Sequence, residues 1–300
     1  MEFGRPEKDI LLIDHTLPAD GRVTAQVLSA GAAERTKFHV GCAKWGRKEW
    51  VGHLYPDKTP EKEFLTEYGK RFDTIEFAAS FFTRPDRESM VRWLDRVKLA
   101  GNDDFMFIPK VSKEISHISR LENTGELLKD FISAVEGFGP HLGPMLLQLS
   151  DSFGTKYFER MKNFVEQLPK EHRFFIELRH ENWFSDETSR RKVFELFREY
   201  GVGTVITDTS GRRDCLHMEL TTPDLYVRFN GNGEEHQAHD RQRVDDWAHR
   251  IADWKGRGLK NVYFILSQTK ELDTPALAAY AIERFNEQLG AGLKSVVWNP

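Results

Sequence analysis

The side chains of this 300-residue chain that could do chemistry share one kind of position, the end of a short apolar run. Lys44 and Trp45 follow the run Phe38–Cys42, and Glu76 lies inside Phe72–Phe77. Lys110 directly follows Phe105–Pro109, with His117 a few residues on. Gln148 sits near the end of Gly143–Leu149. Glu177, Arg179 and His180 end Arg173–Leu178, and Trp183 lies just beyond. Asp208 follows Gly203–Thr207, while Arg228 and Asn230 close Asp224–Phe229. Carboxylates and histidines converging on one cavity can act as general base and acid near neutral pH. Arginine forks beside them match the geometry of phosphate and carboxylate groups.

Two readings of this set compete. Glu76, Glu177 and Asp208, with His117 or His180, would suit a divalent cation. Lys44, Lys110, Arg179 and Arg228 occupy the same kind of position, and four cations facing three carboxylates favour an anion. No residue is therefore assigned to a metal, and a divalent ion remains the secondary reading. No cofactor fingerprint is evident, because no glycine-rich nucleotide motif follows the first apolar run. Asn230-Gly231-Asn232-Gly233 is a flexible loop that could approach an anion through backbone N–H groups. His236-x-x-His239 has metal-like spacing, but in a polar stretch it reads as two solvated histidines.

The runs themselves say what must position these groups. Asn261–Leu266 is the eighth, and most starts lie about 30 to 39 residues apart, the size of one strand–helix–return unit. Amphipathic stretches fill the gaps: Glu63–Arg71, a helix opened by Pro85, the Leu127–Val135 stripe stopped by Gly137 and Gly139, Tyr157–Leu168, Val193–Tyr200, Val244–Trp254 and Ala276–Leu289. Strands alternating with helices pair in parallel, and right-handed crossovers let eight units close into a (β/α)8 TIM-type barrel. One interval is short: Thr209–Pro223 has no room for a full helix between strands six and seven. In such a barrel, sites lie at the C-terminal strand ends. Period-two alternation puts Glu177 with Arg179, and Arg228 with Asn230, on the face opposite Ile176 and Leu178. If the apolar set faces the helices, the charged set faces inward.

Composition bounds the rest. A hydrophobic share of 39% supports one sizeable core, but no stretch approaches the ~18 uncharged residues of a spanning helix. The expected organisation is an N-terminal extension over residues 1–36 packed on or beside the barrel, one barrel domain over 37–290, and a tail over 291–300. Charges interrupt the first 20 residues, so they do not read as a secretory signal. Cys42 and Cys215 are the only cysteines, which points to a reduced, cytoplasmic setting. A net charge of −4, with both signs mixed along the helices, argues against a nucleic-acid surface. The oligomeric state is not legible.

Several pieces resemble the YecE-like family, also called domain of unknown function 72. They are Val40-Gly41-Cys42-Ala43-Lys44-Trp45-Gly46, Phe72-Asp73-Thr74-Ile75-Glu76, Ser116-His117, Leu142-Gly143-Pro144 with Gln148, Glu177-Leu178-Arg179-His180 with Trp183-Phe184, Asp208, and Tyr226-Val227-Arg228. The resemblance spans roughly Phe38 to Leu289 and implies a TIM-barrel fold without supplying an activity. The chain departs from the family pattern at Ala78, Phe82, Asn230, Ser267 and Gln268, so a function of the family need not transfer unchanged. The leading reading is an enzyme of hydrolytic or proton-transfer type acting on a small anionic, phosphorylated or carboxylated substrate. Arg179 and Arg228 clamp the anion with Lys44 or Lys110; Glu76 or Glu177 is the base, and His117 or His180 the acid. Trp45, Gln148, Trp183 and Asn230 line the substrate. The alternatives are a non-catalytic ligand-binding or scaffolding barrel and a metal-dependent, nuclease-like phosphodiesterase.

Overall fold

A computed structural model describes residues 3–6, 8–28, 31 and 35–299. All eight expected strands form: β1 Lys37–Cys42, β2 Thr74–Phe77, β3 Met106–Pro109, β4 Met145–Gln148, β5 Phe174–Glu177, β6 Gly203–Asp208, β7 Asp224–Asn230 and β8 Asn261–Ser267. Helices lie between and beside them: α1 Arg22–Val27, α2 Phe64–Gly69, α3 Ala79–Phe82, α4 Arg87–Lys98, α5 Gly125–Val135, α6 Phe158–Glu166, α7 Asn182–Ser185, α8 Glu187–Glu199, α9 Gln237–Gly256 and α10 Thr274–Leu289. Helix α4 begins later than its proline suggests. Asp86 is the cap, accepting from the Ser89 amide, so Pro85 lies outside the helix. Helix α5 does stop before its glycines, passing into a 3-10 turn over Glu136–His141.

The strands pair in parallel, but the main-chain ladder is not continuous through all eight. A curled six-stranded sheet runs β1-β8-β7-β6-β5-β4, and β2-β3 forms a separate pair. Each seam has a physical cause. At β1/β2 the Tyr68 hydroxyl sits between the strands, accepting from the Cys42 amide at 2.7 Å and donating to the Thr74 carbonyl at 2.9 Å. The strands still pass closely there, since a Cβ on Gly41 would lie 2.1 Å from the Thr74 oxygen. At β3/β4 the Gly143 amide reaches the Phe107 carbonyl and the Val111 amide reaches Leu146. Between them Pro144 and Pro109 have no N–H to offer, which leaves isolated bridges rather than a ladder.

Alternation along the strands separates two apolar layers. Ile108, Leu146, Phe175, Val205, Tyr226, Tyr263 and Ile265 form one cluster on the inner face of the curl. The residues of opposite parity join the helices in a larger core, where Trp50, Trp183, Trp247 and Trp254 are fully buried. The connection from β6 to β7 carries only a 3-10 turn at Arg213–Cys215, as its length predicts. Helix α1 packs on that connection. Thr24 Oγ1 donates to the Met218 carbonyl, and Glu219 accepts from the Arg22 and Val23 amides. At the other end of the chain, Trp298 stacks on His53. No helix among the described residues is long and apolar enough to cross a membrane.

Candidate functional site

Above the inner apolar cluster, at the C-terminal strand ends, the next inward residues are polar: Glu76 on β2, Lys110 after β3, Gln148 on β4, Glu177 and Arg179 on and after β5, Thr207 on β6, and Arg228 on β7. Lys110, Gln148, Glu177, Thr207 and Arg228 lie two residues beyond the inner-face residues Ile108, Leu146, Phe175, Val205 and Tyr226, and Arg179 lies two beyond Glu177. Side chains from six strand ends therefore meet in one buried network.

Arg228 is its centre. The guanidinium grips Glu76 through Nε at 3.0 Å and Nη2 at 3.2 Å, and Nη1 reaches both Glu177 oxygens at 3.0 and 2.9 Å. Thr207 Oγ1 donates to Glu177 at 2.9 Å. Burial alone would raise the Glu177 pKa, but Arg179, Arg228 and Lys110 outweigh it and hold the carboxyl at about 2. Glu177 is therefore a fixed anion, too weak a base for proton abstraction near neutral pH.

The remaining cations are differently placed. Gln148 Oε1, an uncharged acceptor, receives Lys110 Nζ at 2.9 Å, Arg179 Nη2 at 2.9 Å and Arg228 Nη1 at 3.4 Å. Lys110 has no carboxylate within ion-pair distance among the described residues, and its ammonium lies 4.1 Å above the Phe81 ring. Burial, with Arg228 and Arg179, outweighs Glu76 and Glu177 and lowers its pKa to about 8. Arg179 reaches Glu177 through long hydrogen bonds from Nη2 at 3.4 and 3.5 Å. Its Nε, 3.3 Å from Oε1, makes no hydrogen bond, and its Nη1 lies 3.9 Å from the exposed Asp151. Within the buried cluster three cations thus face two carboxylates, and the third carboxylate near them, Asp151, stands in solvent at the rim. His117 stands at the rim, held by Ser116 Oγ on Nδ1 and packed edge-on against Phe81. Burial, then the charges of Lys110 and Arg179, lower its pKa, so the ring is neutral near pH 7.

Other expected members are elsewhere. Asp208 has the opposite parity to Thr207 and points outward, where Arg243 Nη2 at 2.7 Å, Trp247 Nε1 at 2.8 Å and Arg213 occupy its oxygens. The ligand set of Glu76, Glu177 and Asp208 is therefore not assembled. Among the described residues no group of three or more histidine, cysteine or acidic side chains is arranged to hold a metal. Lys44 is half-exposed and pairs with Glu271. Trp45 stacks on Phe77 and meets Trp93 edge-on in the outer layer. Trp183 is fully buried, with Nε1 on the Phe153 carbonyl. His180 packs on Gly154 and accepts from the Asn182 amide, and Asn230 accepts from Ser267 Oγ. The Arg228 fork, expected to clamp an external anion, faces two internal carboxylates, Glu76 and Glu177.

Three contributors were not singled out from the sequence. Thr207 and Tyr226, whose hydroxyl lies 3.4 Å from Glu76, follow from the same alternation that identified Glu177. Phe3 had no signal at all. Its ring covers the Arg179 guanidinium at 4.1 Å and approaches that of Arg212 at 5.1 Å. The Gly4 carbonyl accepts from the Gly211 amide and Thr209 Oγ1, tying this segment to the β6–β7 connection across the mouth. A cavity of about 410 Å³ opens beside it, between Phe3, Lys8, Asp151 and Arg212.

The comparisons with known proteins agree with this architecture. The family profile described as "Protein of unknown function DUF72" matches residues 39–298. The UPF0759 protein YecE of Escherichia coli K12 is 24% identical over 235 residues, covering 72% of this chain and 82% of its own. The crystal structure of a DUF72 family protein from Enterococcus faecalis V583 superposes with a TM-score of 0.63 at 18% identity, covering 85% of this chain and 99% of that one.

Proposed function

The chain belongs to the DUF72 family, and for this member we propose a small-anion site at the C-terminal mouth, with Arg179 and Lys110 receiving the anion and His117 moving the proton. The observation that carries this reading is the set of three cations sharing one amide oxygen, Gln148 Oε1. Buried charge without a counter-charge costs several kcal/mol. Glu76 and Glu177 are held most closely by Arg228, while Arg179 has only long contacts to Glu177 and to the exposed Asp151. The surplus positive charge of the buried cluster therefore lies on the Lys110–Arg179 side. A phosphate or carboxylate placed there would complete the ion balance and accept from both cations. The neutral imidazole at the rim is the group best suited to accept a proton from such a ligand. The eight strands, bridged at both seams, then act as one barrel whose mouth holds this site.

A thermal-shift series with small phosphorylated and carboxylated metabolites checks the reading. A bound anion at a hundred times its Kd raises stability by about 2.7 kcal/mol. The Arg179→Ala variant should lose that response and remain folded, because its removal relieves repulsion among the cations while Lys110 still satisfies Gln148. An Arg179→Ala protein that unfolds would make the residue structural, and the reading would fall.

A further inference from the structure

Lys110 is the least compensated member of the cluster. Its side chain is 8% exposed, its ammonium donates only to an amide oxygen, and its next neighbour is the face of Phe81. The two arginines beside it each have carboxylates within 4 Å: Arg228 has Glu76 and Glu177, and Arg179 has Glu177 and, at 3.9 Å, the exposed Asp151. Such surroundings stabilise the neutral amine over the ammonium. Glu76 and Glu177 oppose this electrostatically from β2 and β5, and Arg228, Arg179 and burial prevail. Because Lys110 Nζ and Arg179 Nη2 both reach Gln148 Oε1, they stand within two hydrogen-bond lengths of each other. A cation able to fix a carboxylate is thus beside an amine able to attack a carbon.

We infer that Lys110 is a covalent nucleophile for a short 2-oxo acid, whose carboxylate rests on Arg179 and whose ketone carbon meets Nζ. The inference rests on Arg179 receiving the anion. The spacing suits this substrate class, because carboxylate and carbonyl carbons are directly bonded. In the step, the Nζ lone pair forms the C–N bond and the carbonyl electrons move to oxygen. Both amine protons leave with that oxygen as water, giving an imine without any redox partner. His117, anchored by Ser116 and packed on the same Phe81 ring as the Lys110 ammonium, is the group that would take a proton from the carbon next to the imine.

The experiment treats the full chain with pyruvate, and in parallel with acetone, in the presence of sodium borohydride, followed by intact-mass measurement and peptide mapping. The expected result is one reduced adduct per chain on Lys110 with pyruvate, at least tenfold less with acetone, and none in folded Lys110→Arg. A pyruvate-induced thermal shift that needs Arg179 but leaves no adduct overturns the imine and spares the anion site. Equal labelling of Lys110 by pyruvate and acetone spares the nucleophile and overturns the anion site. Labelling spread over the exposed lysines overturns the inference.

Discussion

Arg228 and Arg179 belong to one ring of inward-facing residues, yet they do opposite work. Arg228 bridges two buried carboxylates, so Arg228→Ala should leave Glu76 without its ion pair and Glu177 with only its longer contacts to Arg179 and the Thr207 hydroxyl. The expected cost is about 3–5 kcal/mol, read by urea unfolding. Glu177 supplies a second check. Its folded pKa of about 2 lies below its ordinary 4.5, so the native state binds fewer protons between those values. Its contribution to stability is complete above about pH 4.5 and is lost as pH falls toward 2. The stability difference between wild type and Glu177→Gln should shrink over that window. The charged partners themselves were legible from strand-end position and alternation. Asp208 was not, because a one-residue difference in parity sends it to the other face, where Arg243 and Trp247 hold it.

At the scale of elements, all eight strands and the helix-free connection after β6 could be read from apolar runs and their spacing. What could not be read is how neighbouring strands meet. Tyr68 lies on the apolar stripe of α2, and its sequence signal is that of a core aromatic, yet its hydroxyl replaces a ladder bond between β1 and β2. Tyr68→Phe keeps the ring and leaves the Cys42 amide and the Thr74 carbonyl without their bridging partner. The expected loss is about 1–3 kcal/mol, checked by denaturant unfolding. Faster hydrogen exchange at Cys42 than at Leu266, on the paired strand β8, would locate the loss at this seam.

Across the whole molecule, the mouth is built by residues that meet only once most of the chain has folded. Gly4 has φ +83°, and a Cβ there would lie 2.4 Å from Thr209 Oγ1. Gly4→Val should therefore lift the Phe3 segment off Arg179 while leaving the strands intact. The measurement is exchange at the Gly211 amide, expected to rise about tenfold or more without a comparable change at the β7–β8 pairing. No sequence pattern foretold this cover, because a contact between a glycine carbonyl and a loop leaves no periodicity to detect.

The tie between Thr209 and Gly4 spans 205 positions, and closing so long a segment is entropically slow compared with pairing strands that are consecutive in the chain, such as β7 and β8. It secures few apolar contacts in return. On refolding, the Phe3 segment is expected to settle after the consecutive strands have paired, so that the charged cluster finds its internal partners while still open to water and dissolved ions.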